Sequence, residues 1–125
     1  MAKFQSTPSG CPMAPLLETL NKPWTLHILW ALTNHGEMRF GALRRSISGI
    51  SARMLTERLR GLEEKGFVYR NYKPTIPPEV SYGLTARMLD ITELLNGLHE
   101  LAIKWDEEDA ARLEAKKKPI RKKAA

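Results

Sequence analysis

The sequence has few of the residues on which several classes of protein depend. Of its 125 residues, one is a cysteine and three are histidines. A single cysteine excludes a disulfide within the chain and is typical of a reducing compartment. No apolar run approaches the ~20 residues of a membrane-spanning helix, and the first residues lack the apolar stretch of a signal peptide. These absences predict a cytoplasmic protein without a membrane partner.

Residues with the spacing of a metal or catalytic site are also missing. His27 and His35 are separated by a helix end, His99 is distant, and no cysteine or carboxylate cluster joins them, so we expect no metal. The sequence has no nucleophile–base pair, no Gly-rich phosphate loop and no His-Glu-x-x-His motif. The sequence therefore favours neither an enzyme nor a cofactor.

Positive charge is abundant and concentrated in one region. The chain has 20 Lys and Arg against 14 Asp and Glu, a net charge of +6. Residues 39–73 contain nine basic and three acidic residues, which reproduces the whole excess. The basic residues are Arg39, Arg44, Arg45, Arg53, Arg58, Arg60, Lys65, Arg70 and Lys73. A localised basic surface indicates a polyanionic partner.

The most informative stretch of this region runs from Gly49 to Gly66. Ser51 is a good N-cap and Gly66 a good residue just beyond a helix C-terminus. Between them, apolar residues recur at helical spacing on one face, and the opposite face carries arginines. The apolar residues are Ala52, Leu55, Leu59 and Leu62. The pattern predicts a helix that is anchored along one side and offers arginines on the other.

The flanking segments predict a helix-turn-helix followed by a β-hairpin. A short helix over about 41–47 and a Gly-containing connector precede the Arg-bearing helix. The strand 67–73 and a returning strand through Val80, Tyr82 and Leu84 follow it, joined by a proline-rich loop that cannot extend the ladder. Earlier helices are predicted from Cys11 and from about 23 to 34. We interpret the hairpin as a wing.

Thr85 is expected to cap a long helix from about Ala86 to Trp105 or beyond. Its apolar residues exceed what a small core can cover, which suggests contact with a second subunit. We expect three segments: a flexible arm over 1–10, the winged domain over 11–105, and a charged, frayed or disordered tail over 106–125.

These elements together resemble the HxlR family of bacterial winged helix-turn-helix transcription regulators, over about residues 11–105. The matching residues are Cys11-Pro12, Trp24-Thr25, Ile28-Leu29, Arg39-Phe40, Leu43, Gly49-Ile50-Ser51, Met54-Leu55-Thr56, Leu59-Arg60, Leu62-Glu63, Gly66, Pro77-Pro78, Val80, Tyr82 and Leu84-Thr85. The resemblance implies a mainly α fold with a small β-hairpin. It also implies a homodimer that pairs terminal helices and offers one recognition helix and one wing per subunit to double-stranded DNA.

The recognition helix supplies the candidate base contacts. Ser51, Ala52, Arg53 and Thr56 would lie nearest the base edges, with Arg53 able to pair bidentately with guanine and Arg60 as a base or phosphate contact. The predicted phosphate contacts are Arg39, Arg44, Arg45, Arg70 and Lys73. The alternative for each is an ordinary exposed charge, with Arg53 and Arg60 paired to acids four residues on.

Cys11 precedes a helix, where the positive end of the helix dipole favours a thiolate. Some members of the family sense oxidants or electrophiles through a cysteine near the N-terminus, so the resemblance makes Cys11 a candidate redox sensor. The alternative is an inert cysteine at the dimer seam. Any other small-molecule effector is invisible in the sequence.

The function we expect is a sequence-specific regulator at the nucleoid, a repressor bound as a homodimer to a palindromic operator and responsive through Cys11. Two alternatives remain. One is a winged helix that binds an acidic protein, and the other is a nonspecific nucleic-acid-binding protein, suggested by the Lys-rich tail.

Overall fold

The structure is a computed structural model that describes residues 10–117. The chain divides into two compact units, with the boundary between Leu89 and Asp90. The first unit contains α1 (Met13–Leu20), α2 (Thr25–His35), β1 (Met38–Arg39), α3 (Phe40–Ser46), α4 (Ala52–Glu64), β2 (Val68–Lys73), β3 (Glu79–Leu84) and a 3-10 helix (Ala86–Leu89). In the part that the structure describes, the second unit is α5 (Asp90–Lys117). Almost all of the predicted N-terminal arm lies outside the described residues.

The core of the first unit is built on α2 and the apolar sides of α3 and α4. Ile28 and Leu29 of α2 and Leu43 of α3 have no exposed surface, and Leu55 and Leu59 of α4 are at most 1% exposed. The apolar side predicted for α4 is therefore buried. The mainly α fold with a small β component is confirmed.

The start of α2 differs slightly from the prediction. The helix begins at Thr25 rather than near Pro23, because Trp24 adopts a left-handed conformation with φ of 73°. The Trp24 ring lies near the turn before α4, where a Cβ added to Gly49 would be 3.6 Å from Cη2 of Trp24. From α4, Nε of Arg58 donates a hydrogen bond of 2.7 Å to the Pro23 carbonyl. These contacts tie the helix-turn-helix to the start of α2.

Both ends of α4 are capped as the sequence predicts. The Ser51 hydroxyl accepts a hydrogen bond of 3.0 Å from the Met54 amide. At the other end, Gly66 has φ of 77°. Its amide donates to the Glu63 carbonyl, and the Phe67 amide donates to the Leu62 carbonyl at 2.8 Å. This pattern is a Schellman motif. The motif ends the helix, and the first strand of the wing begins at Val68, directly after Phe67.

The wing belongs to a three-stranded antiparallel sheet of order β1-β3-β2 among the described residues. Strands β2 and β3 pair from Val68 with Leu84 to Lys73 with Glu79. The short strand β1 adds to the outer edge of β3, pairing Met38 with Tyr82 and Arg39 with Ser81. The sequence predicted the hairpin, whereas the pairing of β1 with β3 is seen only in the structure.

The predicted role of Thr85 as a helix cap is corrected by the structure. Its hydroxyl donates to the Gly66 carbonyl at 2.7 Å, so the side chain joins the end of β3 to the end of α4. The chain after it forms a 3-10 turn over Ala86–Leu89 before α5 begins at Asp90.

Helix α5 continues to Lys117, as the prediction of a helix to Trp105 or beyond allows. Residues 106–117 are helical within the segment for which the sequence predicted a frayed or disordered tail. The physical reason is local, since Ala110, Ala111 and Ala115 are strong helix formers and Arg112 pairs with Asp109 one turn earlier. The rest of the predicted tail, 118–125, lies outside the described residues.

Apolar side chains of α5 divide into a small buried set and a larger exposed set. Ile91 and Leu95 are 8% and 5% exposed. Leu94, Leu98 and Trp105 are 61%, 52% and 56% exposed, and with Leu101 they form one stripe at intervals of three and four residues. Within residues 10–117, no helix is both long and apolar enough to cross a membrane.

Candidate nucleic-acid interface

The outer face of α4 presents Arg53, Thr56 and Arg60 in one row. All three are exposed, and their spacing places them opposite the buried leucines. The Thr56 hydroxyl donates a hydrogen bond of 2.8 Å to the Ala52 carbonyl, which holds this side chain against the helix. The structure thus brings together the three outward-facing residues that the sequence predicted for base and phosphate contacts.

Arg53 is paired within the helix. Its Nε lies 3.5 Å from Oε2 of Glu57, and the two side chains are 90% and 50% exposed. An exposed pair of this kind contributes about 0.2–1 kcal/mol at most. A phosphate or a guanine edge could therefore take the place of Glu57 at little cost.

The first residues of the helix have mixed roles. The Ser51 oxygen is engaged as the N-cap acceptor, and Ala52 is half-buried. The helix N-terminus also exposes backbone amides that attract anions. Of the four residues predicted near base edges, Arg53 and Thr56 are thus the two with outward polar side chains.

Of the arginines before α4, Arg39 forms an ion pair within the described part of the chain. Its guanidinium lies 3.0 Å from a carboxylate oxygen of Glu79 at the start of β3, so it joins β1 to the wing. Arg44 and Arg45 occupy the last turn of α3 and are exposed.

The two wing cations point to opposite faces of the sheet, because successive strand residues alternate. Arg70 lies over the Tyr72 ring, with its Cζ atom 5.5 Å from the ring centroid. Lys73 is exposed on the other face, at the last rung of the hairpin. The sequence grouped these residues as wing contacts, and the structure places one on each side.

A polar cluster that the sequence did not reveal lies on the Lys73 side of the sheet. The Glu37 carboxylate accepts hydrogen bonds from the Tyr69 hydroxyl at 2.7 Å, from Nδ2 of Asn71 at 3.0 Å and from the Ser81 hydroxyl. We call these four residues the Glu37 clasp. The three donors, led by Ser81, lower the pKa of Glu37 to about 2, and the same carboxylate raises the pKa of Tyr69.

The signal for the clasp was weak in the sequence. Tyr69 and Asn71 alternate on one face of a predicted strand, but nothing placed Glu37 beside them. That placement follows from the pairing of β1 with β3, which joins segments more than 40 residues apart.

Cys11 lies two residues before α1 and is half-buried, with no disulfide. Its carbonyl accepts a hydrogen bond from the Ala14 amide at 3.1 Å. Across residues 10–117, no group of three or more His, Cys, Asp or Glu side chains is arranged to hold a metal ion.

The architecture and the exposed face of α4 define a winged helix-turn-helix protein. A family model described as HxlR-like helix-turn-helix matches residues 19–110. The chain therefore belongs to the HxlR family of transcription regulators, as the resemblance predicted, and the proteins it resembles are regulators rather than enzymes.

Individual relatives agree with this assignment. An uncharacterised helix-turn-helix transcriptional regulator of Synechocystis is 37% identical over 100 residues, which cover 80% of this chain and 73% of the relative. The reduced form of the transcriptional regulator YodB from B. subtilis has a TM-score of 0.64 at 32% identity, covering 74% of this chain and 90% of YodB. The redox regulator HypR in its oxidised form has a TM-score of 0.68 at 30% identity, covering 75% and 96%.

Proposed function

We propose that this regulator binds a palindromic operator as a homodimer and represses transcription by occluding the promoter. The observation that carries the proposal is the exposed row of Arg53, Thr56 and Arg60 on a helix whose other face buries Leu55, Leu59 and Leu62. Such a helix can enter the major groove without disturbing the core. Two copies would read half-sites about one turn, ~10 bp, apart or a multiple of it. The target, chromosomal DNA, makes the cytoplasm the proposed location.

The proposed dimer uses the exposed stripe of α5. Leu94, Leu98, Leu101 and Trp105 form a continuous apolar row along three turns, and an apolar row of this length is typical of a helix that packs against a second one. A symmetric pair of α5 helices would bury the stripe and join two subunits, each with its own α4.

The remaining cations have a positioning role in this proposal. Arg44 and Arg45 on α3, and Arg70 and Lys73 on the wing, would contact phosphates and make the affinity fall steeply with salt. Arg39 would do the same only after exchanging Glu79 for a phosphate.

The experiment is fluorescence anisotropy on the intergenic DNA upstream of the gene, at about 0.15 M salt with competitor DNA. Arg53→Ala should weaken specific binding by about 1–3 kcal/mol, the usual size of one bidentate base contact. Arg112→Ala on α5 is the matched control, because it removes an arginine that already pairs within its own helix.

Three results would count against the proposal. Binding to every duplex alike would favour a nonspecific nucleic-acid-binding protein, above all if removal of residues 116–125 weakened it more than Arg53→Ala. Absence of duplex binding after a genome-wide selection would favour a module that binds an acidic protein. Equal affinities of wild type and Arg53→Ala for the operator would show that Arg53 does not contact DNA.

We also propose that Cys11 makes binding sensitive to oxidants or electrophiles. The support is its position before α1, its partial exposure and the likeness to HypR, which is described as a redox regulator. With one cysteine per chain, oxidation would give an intersubunit disulfide, a mixed disulfide or a sulfenic acid. Oxidation should abolish operator binding by wild type and leave Cys11→Ser unaffected. Equal responses of the two proteins would contradict the sensor and leave the regulator intact.

A further inference from the structure

The wing receives little support from the rest of the sheet along its outer half. Strand β1 pairs only with Tyr82 and Ser81 of β3. Beyond Ser81, the ladder continues as two strands, through the rungs Tyr72–Val80 and Lys73–Glu79, and the outer rung contacts β1 through the Arg39–Glu79 ion pair, whose side chains are 66% and 35% exposed. A two-stranded hairpin is marginally stable in water unless a third element holds it, and an exposed ion pair contributes little. The direction of the wing therefore depends mainly on what fixes it near Ser81.

The Glu37 clasp acts at that point. Ser81 and Asn71 are direct partners in the β2–β3 ladder, and Tyr69 lies two residues nearer the base of the wing on the same face. Glu37, two residues before Arg39 in the turn that follows α2, accepts hydrogen bonds from all three. One carboxylate thus links the turn after α2 to both strands of the wing. Hydrogen bonds to an ionised acceptor are stronger than neutral ones.

Gly83 allows the Tyr69 side chain to reach the carboxylate. A Cβ added to Gly83 would lie 2.7 Å from Cε2 of Tyr69, because the ring lies flat across the glycine backbone. Gly83 is the cross-strand partner of Tyr69 and is buried. The absence of a side chain at this position is therefore part of the clasp geometry.

The negative charge of Glu37 distinguishes the clasp from the proposed DNA contacts, which are cationic. Glu37 lies close enough to Lys73 for the lysine to help hold the carboxylate ionised. A negative charge near a surface that binds a polyanion opposes binding by simple electrostatics. Its benefit must come through structure rather than through attraction.

We propose that Glu37 is a positioning residue for DNA binding: its clasp of Tyr69, Asn71 and Ser81 sets the direction of the wing relative to α4. The inference rests on the proposed function, in which α4 and the wing contact one duplex together. Glu37 itself touches no DNA.

Glu37→Gln is the decisive variant because the two explanations predict opposite signs. Loss of a negative charge alone would tighten binding to DNA. Loss of the clasp should weaken operator binding by about tenfold, as expected when charge-assisted hydrogen bonds are replaced by weaker or mismatched ones. Glu18→Gln on α1, exposed and outside the sheet, is the control for charge alone and should bind as tightly as wild type or slightly tighter.

The salt dependence shows whether the wing keeps its phosphate contacts. A lost phosphate contact lowers the slope of log affinity against log salt by about one. Lys73→Ala should lower the slope by direct loss of a contact, and Glu37→Gln should lower it because the displaced wing no longer holds Arg70 and Lys73 on phosphates. An unchanged slope in Glu37→Gln would overturn the positioning role, as would binding equal to or tighter than that of wild type.

Tyr69→Phe and Gly83→Ala test the same clasp without changing any charge. Each should weaken binding by about twofold to fivefold, the effect of one hydrogen bond. Tyr69→Phe combined with Glu37→Gln should add little to Glu37→Gln alone, because both act through one cluster. Full additivity would overturn the inference. These variants also keep the test decisive if Glu37→Gln fails to fold.

Amide hydrogen exchange separates failure of the inference from failure of the proposed function. Exchange in residues 72–80 should be faster in Glu37→Gln than in wild type, while α4 stays protected. Unchanged exchange would overturn the clasp even if wild type binds its operator. If wild type binds no duplex, the function and the positioning role both fall, and the exchange data show whether the clasp holds the wing.

Discussion

Helices α4 and α5 use their apolar residues in opposite ways. The leucines of α4 are at most 2% exposed, whereas Leu94, Leu98 and Trp105 of α5 are more than half exposed. Because the leucines of α4 are buried by residues of the same chain, the outer face of the helix is available for charged residues. Helix α5 keeps an apolar stripe in water, which is costly unless something covers it. The contrast agrees with the two proposed roles, in which α4 contacts DNA and α5 packs against a second subunit.

The largest expected effect on the free energy of unfolding comes from truncating a leucine on the buried side of α4. Leu59→Ala should lower the free energy of unfolding by about 2–5 kcal/mol, since a fully buried leucine leaves a cavity. The loss, measured by urea denaturation, should be the same at every protein concentration. Leu98→Ala should instead give a loss that depends on concentration, because the stripe is covered only in the proposed dimer. Concentration-independent losses in both variants would break the comparison.

A charge placed on the stripe should dissociate the proposed dimer. Leu98→Glu would bury an unpaired carboxylate at the α5 contact, and we expect the dimer dissociation constant to rise about a hundredfold. Light scattering after size exclusion gives the measurement. Ile103→Glu is the control, because Ile103 is also exposed but lies on the opposite side of the helix. If Ile103→Glu dissociates the dimer and Leu98→Glu does not, the proposed face is wrong.

Replacing Gly61, within α4, and Gly66, just after its C-terminus, by alanine should change the free energy of unfolding in opposite directions. Apart from the adjacent residues and the helix's own backbone, no atom of the described residues lies within 4 Å of a Cβ added to Gly61 or to Gly66, but only Gly66 of the two has a positive φ, of 77°. Gly61→Ala should therefore raise the free energy of unfolding by about 0.5–1 kcal/mol. Gly66→Ala should lower it by about 1 kcal/mol, the cost of a left-handed alanine. Thermal or urea denaturation would check both, and a shared sign would contradict the capping geometry.

The smallest expected effect is a loss of stability at acidic pH. The buried side of α4 has no titratable group, whereas the wing is held by the Glu37 carboxylate, whose pKa is lowered from 4.5 to about 2. Its contribution is complete above the unfolded-state pKa and is lost as the pH falls through about 2. Wild type should exceed Glu37→Gln in Tm by at most about 4 °C near neutral pH, because Glu37 is exposed. The difference should vanish as the pH approaches 2, and a pH-independent difference would contradict the linkage.

Much of the fold could be predicted from local signals. Ser51 and Gly66 mark the ends of α4 because capping depends only on nearby backbone groups. The apolar spacing within α4 identified its buried side, and the proline-rich loop identified the turn of the wing. Two boundaries differ from the prediction. Trp24 adopts a left-handed conformation at the start of α2, and the Thr85 hydroxyl donates to the Gly66 carbonyl, 19 residues earlier, instead of capping the next helix.

The candidate site was only partly predictable. Residues Arg53, Thr56 and Arg60 share a face by helical periodicity alone, and periodicity is readable in a sequence. The partners of Arg39 and Arg70 could not be read in this way, because Glu79 is 40 positions from Arg39 and the Arg70–Tyr72 contact depends on side-chain rotamers. The Glu37 clasp needed the register of three strands, which no local pattern contains.

By itself, the sequence determined the family, the caps and two faces of α4, the position of the wing and the excess of apolar residues on α5. All of these depend on contacts between residues close in the chain or on patterns that repeat with the period of a helix or strand. Only the tertiary structure decided that β1 joins the wing, that Arg39 meets Glu79 and that Glu37 binds both wing strands. Those contacts arise because folding brings distant segments together, and a small change in strand register would replace every one of them.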